Sequence, residues 1–478
     1  MFAVTGIFLT AALVLWSGVS AVRDTMVIVD PAQTYQVMNG WEVTARLWEQ
    51  DKRRDRYDSS WLQYRDLIFE RLVNELGINR IRIEIRSGAE NPVDYWTSFR
   101  HNKIGYKEAK RHRYEKINDN DDPNVLNPDG FQFSEMDDQV ENIVFPLKRL
   151  LEANGEKLFV NLCYVDFRGT DLKGNIPHAL QPEEYAELIH AAFVHLKQRY
   201  DMTPDAFEVI LEPDNSDYWR GREIGLGMVA TAKRLKEAGF SPKFIAPSTA
   251  AAIAAPEYLD EMLAVPHAAD IVSTFSYHRY DSLTAALALP QILERARKFG
   301  RETAMLEYLT GGAEELHADL TEANVSAWQQ FGIAFKDLGK PENDASFYYF
   351  VDIRAPGRPR IRKGRRTSAL AQYFRFIRAG AVRIGAKSDH VDSKPVAFRN
   401  PDGRHIAVVQ AKRPGLITIM GLPAGSYGIR YTTETEIGKE LPVVRLGPGE
   451  SSVARLPEKG VVTFYQMSSV QSADGASR

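Results

Sequence analysis

Cysteine is almost missing from this chain of 478 residues, which carries only Cys163. One thiol excludes an internal disulfide framework and any cysteine-rich metal centre. It lies within the apolar run Leu158-Phe159-Val160-Asn161-Leu162-Cys163-Tyr164, where a buried strand thiol is expected rather than a nucleophile. Net charge is lacking too. Sixty Lys and Arg against 63 Asp and Glu leave −3, so nothing draws the whole chain toward nucleic acid or a membrane surface. The ten histidines form no His-x-x-x-His pair, and neither a catalytic metal nor another cofactor is expected. There is no internal repeat. Beyond Met1–Ala21 no apolar run is long enough to span a bilayer.

Met1–Ala21 is apolar and ends in the small residues Val19-Ser20-Ala21. It lacks a positively charged start, yet reads as a cleaved signal peptide over 1–21, with a retained anchor as the alternative. The mature protein is then expected to be secreted or periplasmic. A hydrophobic content of 44% and a charged content of 26% describe a soluble globular protein. Its length calls for one large domain and a smaller one.

What is present is alternation. Strand runs occur at Trp41-Glu42-Val43, Ile78–Ile85, Leu158–Tyr164, Phe207–Leu211, Lys243–Pro247, Ile271–Tyr277, Thr303–Leu306 and Ser346–Val351, with helical patterns between them. Eight such units predict an α/β fold, a (β/α)₈ TIM barrel over 39–380. A doubly wound sheet would usually carry a Gly-rich phosphate turn after its first strand, and Asn39-Gly40-Trp41 is not one. The helix Thr367–Ile377 closes the barrel. Short alternating strands with frequent turns follow, predicting a C-terminal antiparallel β-sandwich over 381–467. Residues 22–38 read as short N-terminal strands, and 468–478 as a disordered tail.

Two strand ends carry chemistry. Phe207-Glu208-Val209-Ile210-Leu211-Glu212 is stopped by Pro213, and Glu302-Thr303-Ala304-Met305-Leu306-Glu307 runs on to Gly311-Gly312. A rigid strand that ends in a carboxylate at a barrel mouth aims that group into a shared cleft. Two carboxyl groups so placed suit glycosidic bond cleavage, one donating a proton and the other acting as nucleophile or base.

The chain resembles the clan A retaining glycoside hydrolases, and family 30 most. The resemblance runs over nearly the whole mature chain, through Tyr35-Gln36-Val37-Met38-Asn39-Gly40-Trp41, Gly77-Ile78-Asn79-Arg80-Ile81-Arg82, Ser276-Tyr277-His278-Arg279-Tyr280 and, most specifically, Tyr373–Ile384. It implies Glu212 as acid/base and Glu307 as nucleophile, with Arg82, His278 and Tyr280 supporting the nucleophile or the sugar. It also implies that the strands before Asn39 join the sandwich. One departure stands out. The clan normally places Asn just before the acid/base, on the sugar 2-hydroxyl, and here that residue is Leu211. Three readings follow: a substituted or deoxygenated C2, a substitute donor such as Asn161 or Asn215, or an impaired enzyme.

Positive charge is clustered. Arg100–Lys116 has seven Lys/Arg against two Glu, and Arg354–Arg366 has seven and no acid. In the strand register above these are the loops after strands two and eight, on the face that carries the carboxylates. Trp219-Arg220-Gly221-Arg222 follows strand four there. A cationic rim on a net-acidic protein predicts an acidic, uronate- or sulfate-bearing substrate, against solvated loops that happen to be basic. Trp41, Trp48, Trp96 and Trp219 are candidates for stacking on sugars and equally for core packing. The run Asn118-Asp119-Asn120-Asp121-Asp122 could hold Ca²⁺, although an acidic loop is usually solvated.

The expectation is a retaining β-glycoside hydrolase for a poly- or oligosaccharide, acting as a monomer on its carbohydrate substrate. A transglycosylase and a catalytically impaired carbohydrate-binding protein are the alternatives.

Overall fold

The computed structural model describes residues 24–167, 172, 174–281, 283–337, 346–354 and 359–468. The leader read at 1–21, and the tail beyond Ser468, lie outside the described residues.

Eight parallel strands close a barrel: β2 (Gly40–Thr44), β3 (Arg80–Arg86), β4 (Phe159–Val165), β5 (Ala206–Glu208), β6 (Lys243–Thr249), β7 (Val272–His278), β8 (Glu302–Glu307) and β9 (Val325–Lys336). β9 makes the closure, pairing Thr303 with Val325 on one side and Gly40 with Ala327 on the other. The strand pattern predicts the eighth strand at Ser346–Val351. That segment instead forms β10 (Phe347–Asp352), which lies parallel to the outer half of β9, with β11 (Arg360–Lys363) antiparallel beyond it. β9 carries Gln329, Gln330 and Gly332 in the middle of its length, so it does not read as an apolar run.

β3 shows how the barrel is built. In Arg80-Ile81-Arg82-Ile83-Glu84-Ile85-Arg86 the isoleucines join the main core, while the charged residues bind partners inside the barrel. Period-two alternation usually puts polar side chains in water. Here all seven residues are buried, and the lumen is the polar side.

The helical stretch before β3 is a 3₁₀ turn (Ser60–Tyr64), an α segment (Arg65–Arg71) and a π turn (Leu72–Leu76). It ends at Gly77, with φ of 96°, where an added Cβ would stand 2.5 Å from the Phe374 carbonyl. Glycine is required there.

After the helix Thr367–Phe374 the chain forms β12 (Val382–Ser388), β13 (Ser393–Arg399), β14 (His405–Ala411), β15 (Gly415–Met420), β16 (Gly425–Thr433), β17 (Lys439–Leu446), β18 (Ser452–Leu456) and β19 (Gly460–Gln466). β1 (Thr25–Val37) joins them, antiparallel to β12 and parallel to β15, in a nine-stranded sheet of order β17-β16-β19-β14-β13-β12-β1-β15-β18. Its second core includes Val27, Val29, Ile417, Ile419, Tyr427 and Phe464. The closing helix bonds the sandwich directly, Gln372 Nε2 donating to Thr432 Oγ1 (2.8 Å) and Thr463 Oγ1 to the Gln372 carbonyl (2.7 Å). No helix among the described residues is long and apolar enough to cross a membrane.

Candidate active site

The barrel mouth collects the two glutamates. β5 is short, but the chain beyond it stays wedged between its neighbours: Val209 N donates to the Ile245 carbonyl (3.0 Å) and Leu211 N to that of Tyr164 (2.9 Å). At Glu212 the backbone turns left-handed, with φ of 50°, and its N–H bonds the Ser248 carbonyl (3.0 Å). A non-glycine residue held there costs about 1–3 kcal/mol and persists only where the surroundings over-determine it. Pro213 then opens one 3₁₀ turn, Pro213–Asn215, which ends the strand path.

All four carboxylate oxygens are held. Glu212 Oε1 lies 3.0 Å from His278 Nδ1, and Oε2 accepts from Asn215 Nδ2 (2.9 Å). Glu307 Oε1 accepts from the Tyr280 hydroxyl (2.7 Å), and Oε2 closes directly on the Arg82 guanidinium. One oxygen of each glutamate and one nitrogen of His278 all lie within 4.8 Å of one another. Glu212 is 7% exposed and Glu307 6%.

The electrostatics divide the pair. Burial works to raise the Glu212 carboxyl, but the His278 hydrogen bond and charge, Asn215 and Arg82 outweigh it and hold the group below its ordinary value. Burial works against a charged His278, yet its bond to Glu212 and the charges of Glu307 and Glu212 raise it above the ordinary histidine value. The resting proton of this pair therefore sits on the imidazole, next to a carboxylate. Burial and the Glu307 charge raise the Tyr280 hydroxyl, which stays a donor.

Arg82 is clamped from behind. It donates to the Leu306 carbonyl (3.2 Å) and lies 3.8 Å from Glu84, which also meets Arg46 at 3.3 Å and closes on Arg86. Burial opposes charge on Glu84, but Arg86, Arg46, Arg82 and Arg113 bring its carboxyl down to about 2. Sequence reasoning missed Glu84, Arg46 and Arg86. For Glu84 and Arg86 the signal was the charged face of β3.

Other candidates fall elsewhere. Trp41 is fully buried, stacked on Phe374 at 4.3 Å, with its Nε1 donating to the Ile377 carbonyl (2.7 Å), so it belongs to the core beneath the closing helix. Trp219 is fully buried against Tyr164 and Tyr185. Neither presents a face to a sugar, and Trp48 and Trp96 are buried as well. The exposed ring at the glutamates is Tyr280 (42% exposed), with Tyr308 edge-on beside it at 6.1 Å. Asn161 is buried in the lumen, donating to Glu208 Oε2 (2.8 Å) and Glu42 Oε1 (3.4 Å). Asn215 donates one amide hydrogen to Glu212. It is exposed at the mouth and keeps a second amide hydrogen, whereas Asn161 is fully committed below it; Leu211 itself packs with Tyr114, Cys163, Val165 and Phe167. Burial pushes the Cys163 thiol far up, so it is an inert core residue.

The basic runs are largely neutralised. Arg100 meets Asp138 (3.0 Å), Arg113 meets Glu135 (3.0 Å) and Lys116 meets Asp166 (3.2 Å). Arg354 pairs with Asp352 (2.7 Å), Lys363 with Glu75 (3.3 Å) and Arg366 with Glu315 (3.7 Å). The second run also does not stay at the mouth, because β11 turns back along β10 and carries Lys363 to the helix side. Lys103, Lys107 and Lys110 remain exposed.

No family model matches the chain, and no curated protein does. Solved structures do. The catalytic domain of a glycoside hydrolase family 30 xylanase C from Talaromyces cellulolyticus matches with a TM-score of 0.65 at 15% identity, over 93% of this chain and 100% of that one. A family 30 subfamily 8 xylanase from Clostridium acetobutylicum matches with a TM-score of 0.62 at 16% identity, over 93% and 100%. An endo-β-1,6-glucanase matches with a TM-score of 0.59 at 13% identity, over 94% and 96%. The chain has the barrel-plus-sandwich fold of the clan A glycoside hydrolases, as seen in family 30.

Proposed function

We propose that this chain is a retaining β-glycoside hydrolase acting on a poly- or oligosaccharide by double displacement. The observation that carries the reading is the pair of buried, strand-end glutamates with oxygens within 4.8 Å of each other and of His278. Retaining enzymes hold their carboxyl groups about 5–5.5 Å apart, whereas inverting ones need about 6.5 Å or more to admit a water. Nearest oxygens within 4.8 Å leave the pair close enough for the retaining arrangement.

In the first step the Glu307 carboxylate attacks the anomeric carbon as the bond to the leaving oxygen breaks. Glu212 protonates that oxygen, drawing its proton from His278 Nδ1. In the second step water attacks the glycosyl-enzyme and Glu212 takes its proton, freeing Glu307. Arg82 and Tyr280 orient the nucleophile. The same three groups could each lend one donor atom to a metal ion, but Arg82 already neutralises Glu307, and this reading needs no cofactor.

The fold likeness to xylanases and a glucanase supports a carbohydrate substrate. Its chemical class is narrower. Exposed Lys103, Lys107 and Lys110 support an acidic glycan, while the ion-paired arginines subtract from the rim's charge. Leu211 gives a sugar 2-hydroxyl no partner, which favours a substrate substituted at C2. A glycan panel of neutral, uronate-bearing, sulfated and 2-acetamido members, offered to wild type and Glu307→Gln, tests the reading. Turnover that vanishes in the variant supports it. Binding without turnover by both proteins would leave the alternative, a carbohydrate-binding protein on this barrel.

A further inference from the structure

After β6 the chain runs through Ala250-Ala251-Ala252-Ile253-Ala254 into the helix Ala255–Leu263. A helix start leaves its first N–H groups without carbonyl partners, and this stretch has no polar side chain of its own to cap them. Two aspartates from the neighbouring loops do so. Ala250 N donates to Asp214 Oδ1 (2.7 Å) and Ala251 N to Asp214 Oδ2 (3.0 Å). Ala252 N donates to Asp281 Oδ1 (2.9 Å) and Ile253 N to Asp281 Oδ2 (2.9 Å). Four consecutive N–H groups are divided between two carboxylates, and Asp281 Oδ2 accepts from Thr284 Oγ1 (2.9 Å) as well.

The origin of each aspartate connects this loop to the site. Asp214 stands two residues after Glu212. Asp281 directly follows Tyr280, whose hydroxyl holds Glu307 Oε1 (2.7 Å). The Tyr280 N–H bonds the Ala250 carbonyl (3.0 Å), so that residue is gripped from both sides. Glu212 and Ser248 are both left-handed, with φ of 50° and 53°, and the Glu212 N–H bonds the Ser248 carbonyl (3.0 Å). Two strained residues joined by one bond persist only where their surroundings hold them. Asp214 supplies that hold: it leaves the chain just past Glu212 and grips the backbone just past Ser248. We propose that Asp214 and Asp281 are positioning residues for the two halves of the reaction, with Ala250–Ile253 as the strut between them. Asp214 fixes the left-handed turn that aims Glu212 at the leaving oxygen. Asp281 fixes the Tyr280 hydroxyl on Glu307. The inference rests on the reading of Glu212 as acid/base and Glu307 as nucleophile.

The two roles separate by leaving group. Aryl β-glycosides of the sugar that wild type releases, with phenolate or 2,4-dinitrophenolate as leaving group, are offered to wild type, Asp214→Ala, Asp281→Ala and Glu212→Gln, and kcat/KM is read. Phenolate needs a proton as it leaves and dinitrophenolate does not. A shift of about 1 Å in a catalytic group can cost about 10²-fold. Asp214→Ala is therefore expected to lose about 10–10²-fold on the phenyl glycoside and much less on the dinitrophenyl one, the same pattern as Glu212→Gln in weaker form. Asp281→Ala is expected to lose about tenfold on both, because attack by Glu307 is common to them. Aspartates that only cap a helix would lower the Tm and leave the ratio between leaving groups at its wild-type value. Equal losses on both glycosides in Asp214→Ala, beside a discriminating Glu212→Gln, would overturn the inference and leave the acid/base assignment standing. A loss confined to the phenyl glycoside in Asp281→Ala would overturn its link to the nucleophile. No discrimination by Glu212→Gln would overturn the acid/base assignment, and the inference with it. Should Asp214→Ala fail to fold, Asp214→Asn, which keeps one acceptor oxygen, carries the test with a smaller ratio.

Discussion

The two buried acid clusters are opposites. At the barrel mouth four carboxylate oxygens have four separate partners, His278, Asn215, Tyr280 and Arg82. Beside the helix Pro182–Tyr200, both oxygens of Glu187 and one each of Glu90, Asp119 and Glu184 have none. A satisfied cluster is pre-organised: its charges are set before substrate arrives, and only a small reorganisation remains for the reaction. An unsatisfied one is held together by the fold against its own repulsion, and burial with neighbouring acids pushes the Glu187 carboxyl up to about 9, so that it keeps its proton. Similar residues thus serve two ends, and the neighbours decide which.

The comparison can be broken by substitution. The largest effect belongs to Glu307→Gln, expected to reduce turnover to background while glycan affinity survives, measured by product release and equilibrium binding. Glu212→Gln should cost about 10²–10⁴-fold in kcat, least with substrates whose leaving group needs no proton. Trp41→Ala should cost about 3–5 kcal/mol of stability and leave KM unchanged, because the ring fills the core and touches no sugar. Denaturant melts and steady-state kinetics on the folded protein check both halves.

His278→Asn sharpens the electrostatic side. The imidazole holds its proton to a pH above the ordinary histidine value of 6.5, so wild-type kcat/KM should fall only as pH rises past that point. Without the ring the proton must reside on Glu212 itself, and the alkaline limb should move down toward the carboxylate range. A purely structural role would lower the plateau and leave the limb in place. For the second cluster, Glu187→Leu should raise the Tm at neutral pH, since it removes a buried carboxyl that burial and neighbouring acids disfavour and whose oxygens accept no hydrogen bond. The smallest effect is expected from Lys103→Ala, Lys107→Ala and Lys110→Ala combined. A fewfold loss of kcat/KM on acidic glycans that disappears at high salt, with neutral glycans unaffected, would mark an acidic substrate.

Most of the barrel was legible because seven of its strands are apolar runs or end in the turns that expose them. The eighth was not. Val325–Lys336 faces Gln329 into the lumen, where the amide donates to Thr44 Oγ1 (3.0 Å) and the Leu306 carbonyl (2.6 Å). That breaks its apolar run, and the more strand-like Phe347–Asp352 took its place in the reading. The glutamates were legible because their chemistry needs strand ends. The tryptophans were not, since a sugar platform and a core filler are the same residue type, and only Phe374 or Tyr185 across the fold distinguishes them. Positive charge is only partly legible for a related reason. Arg100, Arg113 and Lys116 are visible in one run, but Asp138, Glu135 and Asp166, which neutralise them, lie about 20–50 residues further on.

The most direct test of the central claim is the anomeric configuration of the first product, followed by proton NMR before mutarotation, with a β-linked glycan that wild type turns over and with Glu307→Gln beside it. The expected result is a β-configured product from wild type and none from the variant. An α-configured first product, or turnover by Glu307→Gln at the wild-type rate, would contradict the assignment of Glu307 as nucleophile and Glu212 as acid/base.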